Sequence, residues 1–244
     1  DILVYAQKLG LTGFEDDGID EEEEEEDGFL DLPQIDKNVW SNDEFEVQKI
    51  IDEAYSDLEQ LVIFIEKLRP ITAEQDAKLE ALVELLRTDA GSETRKVIIF
   101  TEFMTTARYL KKNLKKQLTE FKVEQVDSQT TTDRTTIVRR FSPYYNGSSS
   151  KELAENGENE IDVLISTDVL AEGLNLQDSI RLVNYDIHWN PVRLMQRIGR
   201  IDRRMDPAKE AAIIAAHPER EGERGSIAYW NFMPPESLDN LINL

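Results

Sequence analysis

The segment Gln196–Arg204, read QRIGRIDRR, gathers the side chains best suited to phosphate chemistry. A guanidinium presents a rigid fork of donors that matches phosphate or carboxylate oxygens. Arg200 and Arg203 stand three apart just after Gly199, and on a continuous helix residues so spaced share a face. Two such groups converging on one point can neutralise charge that develops on a γ-phosphate during its transfer. The plainer alternative is a solvated or salt-bridged helix face. A short motif decides between the two only through the company it keeps.

That company is a set of elements able to carry the arginines. Asn190 and Pro191 supply an N-cap and a first helical residue, so a helix is expected from Pro191 with both arginines about two to three turns inside it. Upstream, Ile180, Leu182, Val183 and Tyr185 read as a buried strand, and Val163, Leu164 and Ile165 as another. Ser166, Thr167 and Asp168 follow that second run, and Gly173 permits a tight turn. The run KVIIF (Lys96–Phe100) is a third strand, followed by Thr101 and Glu102, and Thr105–Leu118 has helical spacing. Alternating strands and helices, with polar residues where strands end, predict an open parallel α/β sheet. Such sheets bind ligands beyond the carboxyl ends of their strands.

In this order, KVIIFTEF, VDSQTTTDR with IVRRF, DVLISTDVLAEGLNLQ, VNYDIHWNP and QRIGRIDRR resemble the second RecA-like lobe (a P-loop NTPase-like fold) of a superfamily-two helicase. Within that superfamily the chain most resembles the Swi/Snf-type DNA translocases of the bacterial RapA-like subgroup, over roughly Asp76–Pro234. The sequence departs from the family pattern at Asp127-Ser128-Gln129, where Asp-Gly-Ser is usual. It departs again at Glu172 and Leu174, one of which replaces a second glycine, and at Arg204-Met205, where many relatives continue with Gly-Gln.

The resemblance implies a two-lobed motor in which ATP and Mg²⁺ are held mainly by a first lobe absent from this chain. It implies catalytic roles for Arg200 and Arg203, and places Gln196, Gly199, Glu172, Gly173 and Asn175 around the nucleotide. Thr101, Ser166, Thr167 and Arg134 would meet the nucleic-acid backbone, with Arg139 and Arg140 adding charge. The competing roles are strand-end capping for the hydroxyls and surface salt bridges for the arginines. The implied partners are double-stranded DNA bound without base preference, the first lobe of the same polypeptide, and a protein such as RNA polymerase or a defence complex. An RNA helicase, a restriction or phage-defence subunit, and a non-catalytic RecA-like binding module are the alternatives. Neither a GxxxxGK[ST] loop nor an acidic Asp-Glu-x-His box occurs in the sequence, so the chain reads as a fragment expected to be inactive toward ATP alone.

Composition adds constraints. The net charge is −22, whereas a nucleic-acid-binding domain is expected to be basic. Part of that charge is the run EDDGIDEEEEEED, Glu15–Asp27, too charged to bury and expected to be a solvated insertion. A sharper reading makes it a nucleic-acid mimic or a dock for a basic partner. The expected organisation is a flexible acidic region over 1–44, a helical linker over 45–90 and the RecA-like lobe over 91–244. Phe45–Leu68 carries an apolar stripe ended by Pro70, and Asp76–Leu86 is a second amphipathic helix. Ser142–Glu160 reads as a mobile loop, and Glu219–Gly225 as a charged turn before a strand within Ser226–Phe232. Cysteine is absent and only two histidines occur, which disfavours a disulfide frame, a thiolate nucleophile or a histidine metal cluster. No apolar run is long enough to span a bilayer, and a cytoplasmic location is the default expectation.

Overall fold

The computed structural model describes residues 46–88, 96–127, 130, 133–167, 175–188 and 190–233. The acidic run Glu15–Asp27, with the rest of 1–44, lies outside them. Two compact units divide the chain, Asp1–Thr72 and Ala73–Leu244. In the first, α1 spans Val47–Leu68, a stretch free of glycine and proline. Leu61, Phe64 and Leu68 lie on its exposed surface, and no residue of α1 is buried.

The second unit is built on a five-stranded, all-parallel sheet in the order β2-β3-β1-β4-β5. Its strands are β1 (Val97–Phe100), β2 (Val123–Val126), β3 (Val163–Ser166), β4 (Arg181–Asn184) and β5 (Ala228–Asn231). Every residue of β1, β3 and β4 is buried, as expected for strands covered on both faces. Side chains alternate across the sheet. Val97, Ile99, Val163, Ile165 and Val183 face α2 (Ala77–Arg87) and α3 (Met104–Gln117) through Leu79, Leu82, Leu86, Leu110 and Leu114. Ile98, Phe100, Leu164 and Leu182 face the other layer, with α4 (Arg134–Phe141), Leu176 and Ile201. This is the open parallel α/β architecture expected from the sequence.

Helix starts follow capping chemistry. Asp76 accepts from the Lys78 and Leu79 amides at 3.0 Å each, and Asp133 caps α4 through Thr135 N–H. The expected loop over Ser142–Glu160 is corrected. It holds a 3-10 turn at Tyr144–Asn146 and helix α5 (Ser150–Glu155), capped by Ser149, with Tyr144, Tyr145 and Leu153 buried. Its Pro, Gly and Ser residues mark caps and turns rather than an unstructured stretch. Two elements were missing from the sequence reading. β2 is short with a polar centre, VEQV. Helix α7 (Pro207–Ala216) is alanine-rich, so no apolar stripe announces it, although Asp206 and Pro207 are sound start signals.

The entry to β1 carries a buried ion pair. Lys96 Nζ lies 2.6 Å from Glu160 Oε1 and also donates to the Ile161 carbonyl at 3.1 Å. Burial lowers the Lys96 ammonium from its ordinary 10.5, with Glu160 opposing the shift. Burial pushes the Glu160 carboxyl up, but the Lys96 charge and hydrogen bond outweigh it and hold the group below its ordinary 4.5. A carboxyl depressed in the folded state contributes stability that is present above its unfolded pKa and lost as pH falls through its folded one. Glu160→Gln is therefore expected to flatten the acid limb of stability below about pH 4.5. It should also lower stability at pH 7, where Lys96 is left buried without its partner. Denaturant unfolding across pH checks both effects.

Candidate functional site

Helix α6 runs from Pro191 to Ile198 and starts as anticipated, with Asn190 Oδ1 accepting from Val192 N–H at 2.9 Å. The expectation that Arg200 and Arg203 lie within it is corrected. The helix ends at Ile198, Gly199 is its C-cap, and both arginines occupy the turn beyond. There the chain tightens: Arg200 N–H bonds to Arg197 O (3.1 Å), Ile201 N–H to Ile198 O (3.0 Å) and Asp202 N–H to Ile198 O (2.9 Å). A Cβ on Gly199 would stand 3.2 Å from the Met195 carbonyl oxygen, so glycine suits this close turn. Fully buried Ile201 pins the turn into the layer formed by Phe100, Leu176 and Leu182. Arg200 is half-buried and Arg203 exposed. Arg203 Nη1 donates to Asn175 Oδ1 at 3.0 Å and its Nε to the Gly199 carbonyl at 3.4 Å. Both acceptors are neutral, which leaves the guanidinium charge uncompensated by them.

A second cluster meets α6 at Arg197. Asp186, beyond β4, accepts from the Thr101 hydroxyl, from Glu102 N–H at 3.4 Å and from Lys78 Nζ at 3.0 Å. Its carbonyl takes Arg197 Nη1 at 3.0 Å. Arg197 is 1% exposed, with its guanidinium 5.6 Å from the centre of the Phe100 ring. His188 Nδ1 accepts from Asn190 N–H at 2.9 Å, tying the cap of α6 to the same cluster. Arg197 was not singled out from the sequence. A signal existed, because it lies three residues after Leu194 and four before Ile201, on the inward stripe of the helix.

The segment Asn175–Ser179 touches the arginine turn from the other side. Gln177 Nε2 donates to the carbonyls of Arg203 (3.2 Å) and Arg204 (3.4 Å). Asn146 Nδ2 holds the Asn175 carbonyl at 2.7 Å. Asp178 is buried and accepts from Ser142 Oγ (2.7 Å), Tyr144 N–H (2.9 Å) and Tyr145 N–H (3.1 Å). Burial raises its carboxyl above the ordinary 3.8, with Lys96 and these donors opposing. Arg224 donates to the Gln177 and Asp178 carbonyls at 2.9 and 3.0 Å, and forks onto Glu210 at 2.7 and 2.6 Å. Tyr145 OH donates to Glu210 at 2.7 Å.

The structure thus brings Arg203, Gly199 and Asn175 together. Gln196 is exposed on α6. Glu172 and Gly173 lie outside the described residues, as does Asp168. Thr101 and Ser166 are fully buried and their hydroxyls serve the lobe itself, Thr101 on Asp186 and Ser166 on the Thr167 carbonyl at 2.6 Å. Thr167 is 5% exposed, and its Oγ1 is buried without a hydrogen-bond partner among the described residues. Arg134 opens α4, half-buried. Arg139 forks onto Glu158 at 2.8 and 2.7 Å, and Arg140 binds the Asn159 carbonyl at 2.8 Å. Arg139 therefore makes the salt bridge of the plainer reading, and Arg140 a local main-chain contact. Among the described residues no group of three or more His, Asp or Glu side chains is placed to hold a metal, and no helix is long and apolar enough to cross a membrane.

The Arg224–Glu210 pair is the most buried ion pair beside the site, with side chains 5% and 14% exposed. Arg224→Met leaves Glu210 buried without its cation and is expected to lower the unfolding free energy by about 3–5 kcal/mol. Pairing it with Glu210→Leu should recover much of the loss in a denaturant titration, as a double-mutant cycle would show.

Comparison with known proteins follows the same lines. The uncharacterized ATP-dependent helicase YqhH of Bacillus subtilis (strain 168) is 32% identical over 147 residues, covering 60% of this chain and 22% of that protein. The RNA polymerase-associated protein RapA of Pectobacterium carotovorum subsp. carotovorum (strain PC1) is 36% identical over 77 residues, 32% of this chain and 7% of that protein. The C-terminal part of the Fun30 ATPase domain superposes with a TM-score of 0.48 at 20% identity, over 69% of this chain and 44% of that one. The chain therefore spans less than a quarter of the length of these two curated relatives. Residues 77–205, more than half of the chain, match the helicase conserved C-terminal domain, and the chain belongs to that family.

Proposed function

We propose that this chain is the second motor lobe of an ATP-dependent DNA translocase of the Swi/Snf type, closest in kind to the RapA-like subgroup. In this reading a first RecA-like lobe holds ATP and Mg²⁺. This lobe closes over the nucleotide and delivers Arg200 and Arg203 to the γ-phosphate, where they offset the charge of the transition state. The observation that carries it is the state of Arg203: exposed, with its guanidinium bonded to the neutral oxygens of Asn175 and Gly199 and, among the described residues, to no carboxylate. Arg139 and Arg224, which serve the lobe itself, are by contrast matched by carboxylates. Gln196, exposed one turn before Arg200 on α6, belongs to the same interface.

Closure on ATP and opening after hydrolysis would step the lobes along DNA, gripping phosphates without reading bases. Asp186, Trp189, Asn190 and Pro191 in the sequence NYDIHWNP favour the Swi/Snf branch over the DEAD-box RNA helicases. Thr167 Oγ1, without a hydrogen-bond partner among the described residues, is the hydroxyl best kept for a phosphate. The net charge of −22 argues that most of the DNA affinity resides in the other lobe, with RNA polymerase or a defence complex as the class of protein partner.

In the two-lobed protein, Arg200→Ala is expected to cut DNA-stimulated ATP hydrolysis by about three orders of magnitude or more while ATP binding persists. Wild-type turnover by that variant contradicts the role. The chain alone is expected to show no ATPase, and turnover by the isolated chain that disappears with Arg200→Ala would overturn the two-lobe division of labour. Stimulation by duplex DNA but not by RNA is the outcome expected of a DNA translocase, and the reverse result selects the RNA-helicase alternative.

A further inference from the structure

We propose that Gln177 is a positioning residue: its side-chain amide fixes the backbone of the arginine turn and so aims Arg203. The inference rests on the role given above to Arg200 and Arg203. Because α6 stops at Ile198, no helical ladder holds the backbone past Asp202, and Arg203 N–H reaches only the Ile201 carbonyl, at 3.2 Å. The next two carbonyls, of Arg203 and Arg204, both accept from Gln177 Nε2. The amide orientation is dictated by chemistry, since the alternative would set the Gln177 oxygen against two carbonyl oxygens. Gln177 is 4% exposed, so water competes little for these bonds.

The clamp is itself braced. The Gln177 carbonyl accepts from Arg224 Nη2 at 2.9 Å, and Arg224 is locked by its fork onto Glu210. Two residues earlier on the same arm, Asn175 Oδ1 receives the Arg203 guanidinium at 3.0 Å. One short arm therefore holds the turn twice, by the Arg203 side chain through Asn175 and by its backbone through Gln177. With Gln177 removed, the Cα of Arg203 loses its fixed distance from Asn175, and the guanidinium loses a defined approach to phosphate. Displacements on the order of 1 Å in a positioned group can cost about 100-fold in rate.

The test uses the two-lobed protein. Gln177→Met keeps length and bulk but removes both donors. It is expected to lower single-turnover ATP hydrolysis by about 10- to 100-fold, with ATP affinity and melting temperature close to wild type. On an Arg203→Ala background the same substitution should add less than about twofold, because both changes act through one group. If Gln177→Met fails to fold, Gln177→Asn keeps the amide but withdraws it by one methylene from the two carbonyls, and is expected to show the same separation of rate from affinity. Wild-type turnover in the folded variant overturns the clamp, as does an undiminished loss on the Arg203→Ala background. If Arg203→Ala itself hydrolyses ATP at the wild-type rate, the underlying role of the arginines falls and the clamp with it. An inactive Arg203→Ala beside a fully active Gln177→Met removes the clamp alone.

Discussion

The lobe is organised around the burial of one residue, Ile201, in the layer beneath the sheet. It lies between Arg200 and Arg203, so driving it into the core turns its polar neighbours outward. That arrangement replaces regular helical geometry with a tight turn, and a turn has no ladder of its own to give it rigidity. Rigidity is supplied from outside by Gln177 on the backbone and by Asn175 on the guanidinium. A turn held in this way can present charge at a defined angle.

The supporting shell divides into two parts that meet at α6. His188 meets the Asn190 cap at its start, and Arg197, buried over Phe100 and bonded to the Asp186 carbonyl, fixes its rotation about the helix axis. Asp178, Tyr145, Glu210 and Arg224 set the arm that meets its end. Buried, hydrogen-bonded networks of this kind are costly to break piecemeal and so favour one arrangement. In the proposed role, where an error of a fraction of an ångström matters, such a shell would make the two arginines a usable pair.

Much of this was legible in the sequence, and the failures share a cause. The strands Val97–Phe100, Val163–Ser166 and Arg181–Asn184 were found through their apolar residues, Val97–Phe100, Val163–Ile165 and Leu182–Val183, which burial on both faces of the sheet demands. The caps Asp76, Asn190 and Ser149 are local chemistry, and two of these three helix starts were read. The end of α6 was misjudged because nothing within QRIGRIDRR says that Ile201 outcompetes another helical turn. That preference belongs to the core, not to the segment. Ser142–Glu160 looked like a loop for the same reason: Asp178, far along the chain, is what collects the Ser142 hydroxyl and the Tyr144 and Tyr145 amides. Thr101 and Ser166 were placed correctly at strand ends, but a strand end serves loop capping as readily as ligand contact. Gln177 carried no signal at all, because its partners are two main-chain carbonyls that any residue would supply.

The central claim, that this turn is aimed at a nucleotide on a partner lobe, is tested most directly by the structure of the two-lobed protein with ADP and aluminium fluoride bound. The arrangement predicts guanidinium nitrogens of both Arg200 and Arg203 within about 3 Å of the fluoride atoms, with Gln177 still on the carbonyls behind them. Both guanidiniums remaining remote from the nucleotide, with Arg203 kept on Asn175, would contradict it.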